Sequence, residues 1–182
     1  MPVPPICHGA ELIRQARFFP VMLLALTVAA PAVAAERGVA VFKFQLIDSS
    51  LEGAMTGRDE AQQARLRRMA PELRRDIAGL NGYDVVDVAP VAPKAEAANL
   101  QSCGNCAIGF ARTVGADVAV VGTVQKVSNL ILNINAYAFD VGTGKEIARG
   151  SADIRSNTDE SWDRGLAYLF ENFLKKQLEA AR

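Results

Sequence analysis

Hydrophobic and polar positions along this chain change period several times, and each change marks an element. GVAVFKFQLI, Gly38 to Ile47, is a Val-, Phe- and Leu-rich run in which Lys43 and Gln45 alternate outward, the pattern of one buried strand. DSSLEGAMTGRDE then reads as a polar, glycine-containing loop. From Ala61 to Leu80 the spacing lengthens, and Leu66, Ala70, Leu73, Ile77 and Leu80 fall on one helical stripe. Pro71 lies inside that stripe. Its missing N–H and its crowding of the preceding turn predict a kink or a restart. NGYDVVDV supplies a turn and a short second strand, and the Ala- and Pro-rich APVAPKAEAANLQS is a connector. AIGFARTVGA is a short helix with Ile108, Ala111 and Val114 inward and Gly115 ending it.

The second half returns to period two. DVAVVGTVQKVS, NLILNINAYAFDV and KEIARGSADI are three successive strands, the last two joined by a turn at Gly142 to Gly144. In the middle one Leu130, Leu132, Ile134, Ala136 and Ala138 share a face. Asn133, Asn135 and Tyr137 share the other with Ile131 and Phe139. Arg149, Ser151 and Asp153 alternate with small residues in the next strand. One face is therefore expected to pack on helices and the other to be partly open. A long helix closes the chain, with Asn157 as its cap, Glu160 completing a capping box, and Trp162, Leu166, Leu169, Phe170, Phe173 and Leu174 as its core stripe. The expected fold class is α+β (mixed α/β): about five strands in a mixed sheet, a C-terminal antiparallel meander and three helices.

Composition narrows the chemistry. Twenty Lys and Arg balance twenty Asp and Glu, which argues against a nucleic-acid partner. Arg14 and Arg17, an apolar run bracketed by Pro20 and Pro31, and Ala32-Val33-Ala34 describe a secretory signal peptide over residues 1–34, with cleavage near Ala34. Residues 35–182 are then a single periplasmic domain, with no stable membrane insertion after cleavage. No cysteine follows the apolar run to take a lipid anchor. Cys7 and His8 leave with the signal, and His8 is the only histidine in the chain. The exported form is therefore expected to lack histidine-based catalysis and imidazole metal ligation. No cofactor, no metal site and no catalytic residue is expected.

Four groups of residues carry candidate chemistry. Cys103 and Cys106 form a Cys-Gly-Asn-Cys motif at a helix start, where a thiolate is stabilised. A loop rather than a strand precedes it, and no proline follows Pro93, so a structural disulfide natural to an exported protein is preferred to a redox site. Asp48, Ser49, Ser50 and Glu52 follow the first strand, where open α/β sheets hold ligands. The competing reading is a solvated turn. Arg65, Arg67, Arg68, Arg74 and Arg75 offer a basic stripe for an acidic partner or anionic lipid, against a solvated face paired with Glu72 and Asp76. Asp153, Asn157, Asp159, Glu160 and Asp163 suggest calcium, but their spacing is not that of an EF-hand loop.

GADVAVVGTVQKVSNLILNINAYAFDVGTGKEIARG, with Gly-Ala-Asp before an apolar strand and Asp-Val-Gly-Thr-Gly-Lys at the hairpin, resembles the N-terminal domain of TolB and the CsgG and LpoB type of envelope domain. VAVFKFQLID, GYDVVD and NTDESWDRGLAYLFENFL resemble still more closely a bacterial exported family known only as a domain of unknown function. These resemblances imply a mixed sheet with helices and a cell-envelope module that binds other proteins, without a catalytic residue to transfer. The expected role is a soluble periplasmic, non-catalytic binding or accessory module whose partner is another periplasmic or envelope protein. Asn133, Asn135, Tyr137, Arg149 and Ser151 are its contact candidates. The alternatives are a thiol–disulfide redox protein or sensor using Cys103 and Cys106, and a small-ligand binder using the Asp48 to Glu52 loop.

Overall fold

The computed structural model describes residues 35–182; the signal-peptide reading falls outside them. Six strands form one mixed sheet in the order β3-β1-β4-β5-β6, with β2 pairing β4 beside β1. The strands are β1 (Arg37–Val41), β2 (Gln45–Asp48), β3 (Tyr83–Val85), β4 (Val118–Ser128), β5 (Ile131–Asp140) and β6 (Glu146–Ile154). β1 and β2 run parallel to β4, β3 runs parallel to β1, and β4–β5–β6 is the antiparallel meander. The fold is α+β, as the change of period indicates.

The run read as one strand is two, for a countable reason. Val41 pairs with Val120 and Gln45 with Thr123, so three residues of this run face two of β4. The extra residue breaks the alternation. Phe42 and Phe44 consequently enter opposite cores. A Cβ on Gly122 would stand 2.3 Å from the Phe44 ring, so this close approach requires glycine.

The helices are α1 (Leu51–Thr56), α2 (Glu60–Ala78), α3 (Ala92–Ala97), α4 (Cys106–Thr113), α5 (Asp159–Leu169), a π-helical turn (Phe170–Leu174) and α6 (Lys175–Ala180). Two segments read as loop and connector hold α1 and α3, both too short to show a period. α2 does not restart at Pro71, which sits exposed within a continuous helix. α4 ends in a Schellman motif: Gly115 at φ 74° donates to Arg112 O, and Ala116 N donates to Ala111 O. The cap of α5 is Thr158, whose side chain accepts from Ser161 N; neither Asn157 nor Glu160 caps it. The π turn shifts the buried stripe to Phe170, Leu174 and Leu178, leaving Phe173 half-buried and Gln177 free to reach β6.

α2 and the α5–α6 rod cover one sheet face. Leu73, Ile77, Trp162, Leu166 and Leu169 pack there on Val120, Val124, Ile134, Ala136 and Ala152. A second, smaller core lies on the other face, where Ile108 and Ala111 of α4 and Ala95 of α3 meet Phe42, Ala119 and Val121. It covers part of that face and leaves a strip of β5 and β6 uncovered.

Candidate functional site

The five contact candidates share that uncovered strip. Tyr137 pairs with Arg149 and Asn135 with Ser151 across β5 and β6. The Arg149 guanidinium lies 5.9 Å from the Tyr137 ring centroid. Asn133 Nδ2 donates to Ser151 Oγ at 2.9 Å and to Asp153 Oδ1 at 2.7 Å. Asn135 is buried, at 9% exposure, between them. These residues form a polar ladder in which neighbours across the strand pair hold Asn133, Ser151 and Arg149.

Cys103 and Cys106 are joined in a disulfide with Cα atoms 5.6 Å apart. Both are half-buried, and Asn105 between them takes the left-handed conformation at φ 70°. The bridge ties the segment after α3 to the start of α4. A hollow of about 330 Å³ adjoins it, lined by Ser102, Gly104, Asn105, Ile108, Tyr137 and Phe139.

The Asp48 to Glu52 segment is largely committed to its own structure. Ser50 is the N-cap of α1, with Oγ accepting from Gly53 N at 3.0 Å. Asp48 Oδ1 accepts from Ser50 N at 2.9 Å and from Ser50 Oγ at 2.5 Å. Its other oxygen lies 3.4 Å from Lys126 Nζ, and that lysine is 3% exposed. Burial pushes the Asp48 carboxyl up, and the Ser50 hydrogen bonds with the Lys126 charge more than offset it, so the group sits below its usual range. Ser49 Oγ donates to Lys126 O, and Glu52 is half-buried in the first turn of α1. An open hollow of about 430 Å³ remains beside Asp48, Ser49 and Gln62.

Around this polar lock lies a surface that the pattern of residues did not reveal. α1 buries none of its residues, and Leu51 and Met55, one turn apart, are 72% and 77% exposed. Ile47, Val127, Leu130 and Ile131 are exposed at the same end of the sheet. Val127 is the extra residue of a register shift between Lys126 and Ser128. The normal order is inverted at two consecutive pairs: Ser50 is inside and Leu51 outside, Lys126 inside and Val127 outside. The sequence reading missed α1 because a six-residue helix with its apolar side outward looks like a loop with two stray hydrophobics.

The basic and acidic candidates largely answer each other. Arg65 Nε lies 2.6 Å from Asp159 Oδ1, and Arg68 reaches Asp159, Asp163 and Glu72. The hydrogen bond from Arg65 holds the Asp159 carboxyl below its usual range. Arg74 turns inward and donates to Val41 O at 2.5 Å, where burial lowers its affinity for the proton. Arg67 and Arg75 alone of the five remain exposed. Glu160 pairs with Arg164, and Asp153 with Asn133. Asn157 joins three elements: its Oδ1 accepts from Trp162 Nε1 at 3.0 Å and Arg65 Nη1 at 3.2 Å, and its Nδ2 donates to Gln62 Oε1 at 2.9 Å and Asn129 Oδ1 at 3.1 Å. Among the described residues, no group of three or more His, Cys, Asp or Glu is placed to hold a metal, and no helix is long and apolar enough to cross a membrane.

The model of the family described as "Protein of unknown function (DUF2380)" matches residues 37–174. No curated protein matches the sequence. Similar solved structures include the LpoB C-terminal domain from Salmonella enterica, at 20% identity and TM-score 0.48, covering 70% of this chain and 88% of that one. Lipoprotein GNA1162 from Neisseria meningitidis is similar at 18% identity and TM-score 0.45, over 66% and 81% of the two chains. TolB from Acinetobacter baumannii is similar at 10% identity and TM-score 0.39, over 68% of this chain and 24% of that one.

Proposed function

The chain belongs to that family of unknown function, whose model spans residues 37–174, and on that premise we propose that it is a non-catalytic protein-binding module of the bacterial cell envelope. In this reading residues 1–34 export it, and another exported or envelope protein is its partner. The observation that carries the reading is the inverted end of the sheet. Leu51, Met55, Val127, Leu130 and Ile131 are exposed there while Ser50 and Lys126 are inside. Clustered exposed apolar side chains of this kind mark interaction surfaces. The ladder of Asn133, Asn135, Tyr137, Arg149 and Ser151 supplies a second, polar contact area on the open sheet face. Photo-crosslinking residues placed at Leu51, Met55, Tyr137 and Ser151 in the native host test this. A discrete adduct, identified by mass spectrometry and lost on Leu51→Ser with Met55→Ser, is the expected outcome. Background labelling at all four positions overturns the reading.

A thiol–disulfide role for Cys103 and Cys106 is a second reading, favoured by the hollow beside their loop. It predicts insulin reduction and exchange with glutathione; an inert disulfide excludes it. A small-ligand role for Asp48, Ser49, Ser50 and Glu52 rests on the open hollow there, and predicts a rise in Tm with a bound metabolite.

A further inference from the structure

β6 ends the sheet on one side. The direction of its outer backbone groups follows from Gln177. The side chain of this residue accepts from Arg149 N at 3.2 Å and donates to Arg149 O at 2.7 Å, occupying the place a neighbouring strand's peptide would take. Arg149 therefore faces its peptide groups outward. The period of two turns Ser151 and Asp153 the same way, and among the described residues no strand lies beyond them. The side chains of these three residues are exposed on the open face, in the order positive, neutral, negative. A hollow of about 380 Å³ runs beside this edge, bordered by Asp153, Arg155, Arg164 and Tyr168. Tyr168 is 55% exposed and meets the Phe173 ring edge-on at 5.9 Å.

The geometry points to a second copy of this chain as the occupant of that edge, paired β6 to β6 antiparallel about a two-fold axis at Ser151. The charge order carries the choice of occupant. With Ser151 opposite itself, Arg149 stands opposite Asp153 of the other copy, and Asp153 opposite its Arg149. Any isologous contact must be self-complementary in this way, and opposite charges directly across a strand pair stabilise it. Asp153 is already steadied by Asn133, and Arg149 by the Tyr137 ring and by Glu146 at 3.5 Å, so both charges are ordered before pairing and the Asp153 carboxylate of the other copy adds to the one Arg149 already has. Gln177 is the placeholder: it satisfies Arg149 in the free monomer and withdraws when the partner strand supplies the same two bonds. This contact shares Arg149 and Ser151 with the polar ladder and is separate from the inverted end, the surface that carries the proposed function.

Sedimentation velocity of the purified protein over a concentration series tests the pairing. The wild type is expected to form a dimer. Arg149→Asp or Asp153→Arg alone should raise the dimer Kd at least about tenfold, and the double exchange should restore it, as a register fixed by charge requires. Gln177→Ala should tighten the dimer or leave it unchanged. Ser151→Cys should bridge to the same position of the other copy under mild oxidation, because directly opposed residues of a hydrogen-bonded pair lie about 5.5 Å apart at Cα, within disulfide reach. A monomer in both wild type and Gln177→Ala overturns the inference. So does a dimer that both single reversals weaken and the double exchange fails to rescue. Failure of a photo-crosslinker at position 51 to give any discrete adduct, with an intact dimer, would instead count against the proposed function alone.

Discussion

Two groups of residues at one end of the sheet break the usual distribution in opposite senses. Lys126, Ser50 and Gln62 are polar and inside, each at 3% exposure or less; Leu51, Met55 and Leu130 are apolar and outside, each at 69% or more. The inside group is accounted for bond by bond. Lys126 faces Asp48, Ser50 caps α1, and Gln62 accepts from Asn157. Nothing among the described residues accounts for the outside group. A buried polar group without partners costs free energy, and here the partners are present. An exposed cluster of large apolar side chains also costs, and under the proposed function another molecule covers it.

The inside group gives the larger effects. Asp48→Asn leaves the Lys126 ammonium without its counter-charge, and breaking a buried pair from one side costs about 3 kcal/mol. Asp48→Asn combined with Lys126→Met removes the ammonium along with the carboxylate it needed, and should change stability by less than about 1 kcal/mol. Urea titrations of both variants at pH 7 check the pair; equal losses would show that Asp48 matters for α1 rather than for Lys126. The pH dependence has a defined sign. Asp48 is held below its ordinary value in the fold, so its contribution is complete above the unfolded value of about 3.9 and is lost as pH falls through the lower folded value. The gap between wild type and Asp48→Asn should therefore begin to close below about pH 4.

Asn157→Ala comes next, at about 2 kcal/mol, because it strips partners from Trp162 Nε1 and from Gln62 together. A loss under about 0.5 kcal/mol would mean that water substitutes for the amide and that the knot is not what closes this end. Ser50→Ala is smaller and local. An N-cap is worth about 1 kcal/mol, but α1 buries nothing, so the loss should show as faster amide exchange at residues 53–56 with little change in the global transition.

The same contrast explains what was legible in the sequence. The sheet-forming alternation in Leu132 to Ala138, the long stripe of α2 and the closing helix all repeat several times, and each appears where the period placed it. The break between β1 and β2 does not repeat: one extra residue between Val41 and Gln45 leaves the composition of a strand intact. The π turn likewise hides in a helical pattern and shows only as the displaced Phe173. The polar ladder was legible because Asn133, Asn135 and Tyr137 alternate strictly with apolar neighbours. Asn157 has the residue type of a cap at a helix start, and only the tertiary partners Trp162, Gln62 and Arg65 reveal its different use. The inverted end was invisible because Lys126 and Val127 follow a run of alternation and step out of it at a register shift.

The smallest expected change in stability is the most informative one. Leu51→Ser with Met55→Ser replaces two large side chains that touch little of their own chain, so unfolding free energy should move by no more than about 0.5 kcal/mol. Serine at both positions keeps the surface soluble and leaves the Ser50 cap and the Asp48–Lys126 pair untouched. If these side chains exist to be covered, the variant should fold normally and lose most of its crosslinked partner in the native host. A cost above about 1 kcal/mol would place Leu51 and Met55 among the residues that hold the fold together, and the apolar end would then be a part of the protein's own packing rather than a surface kept for another molecule.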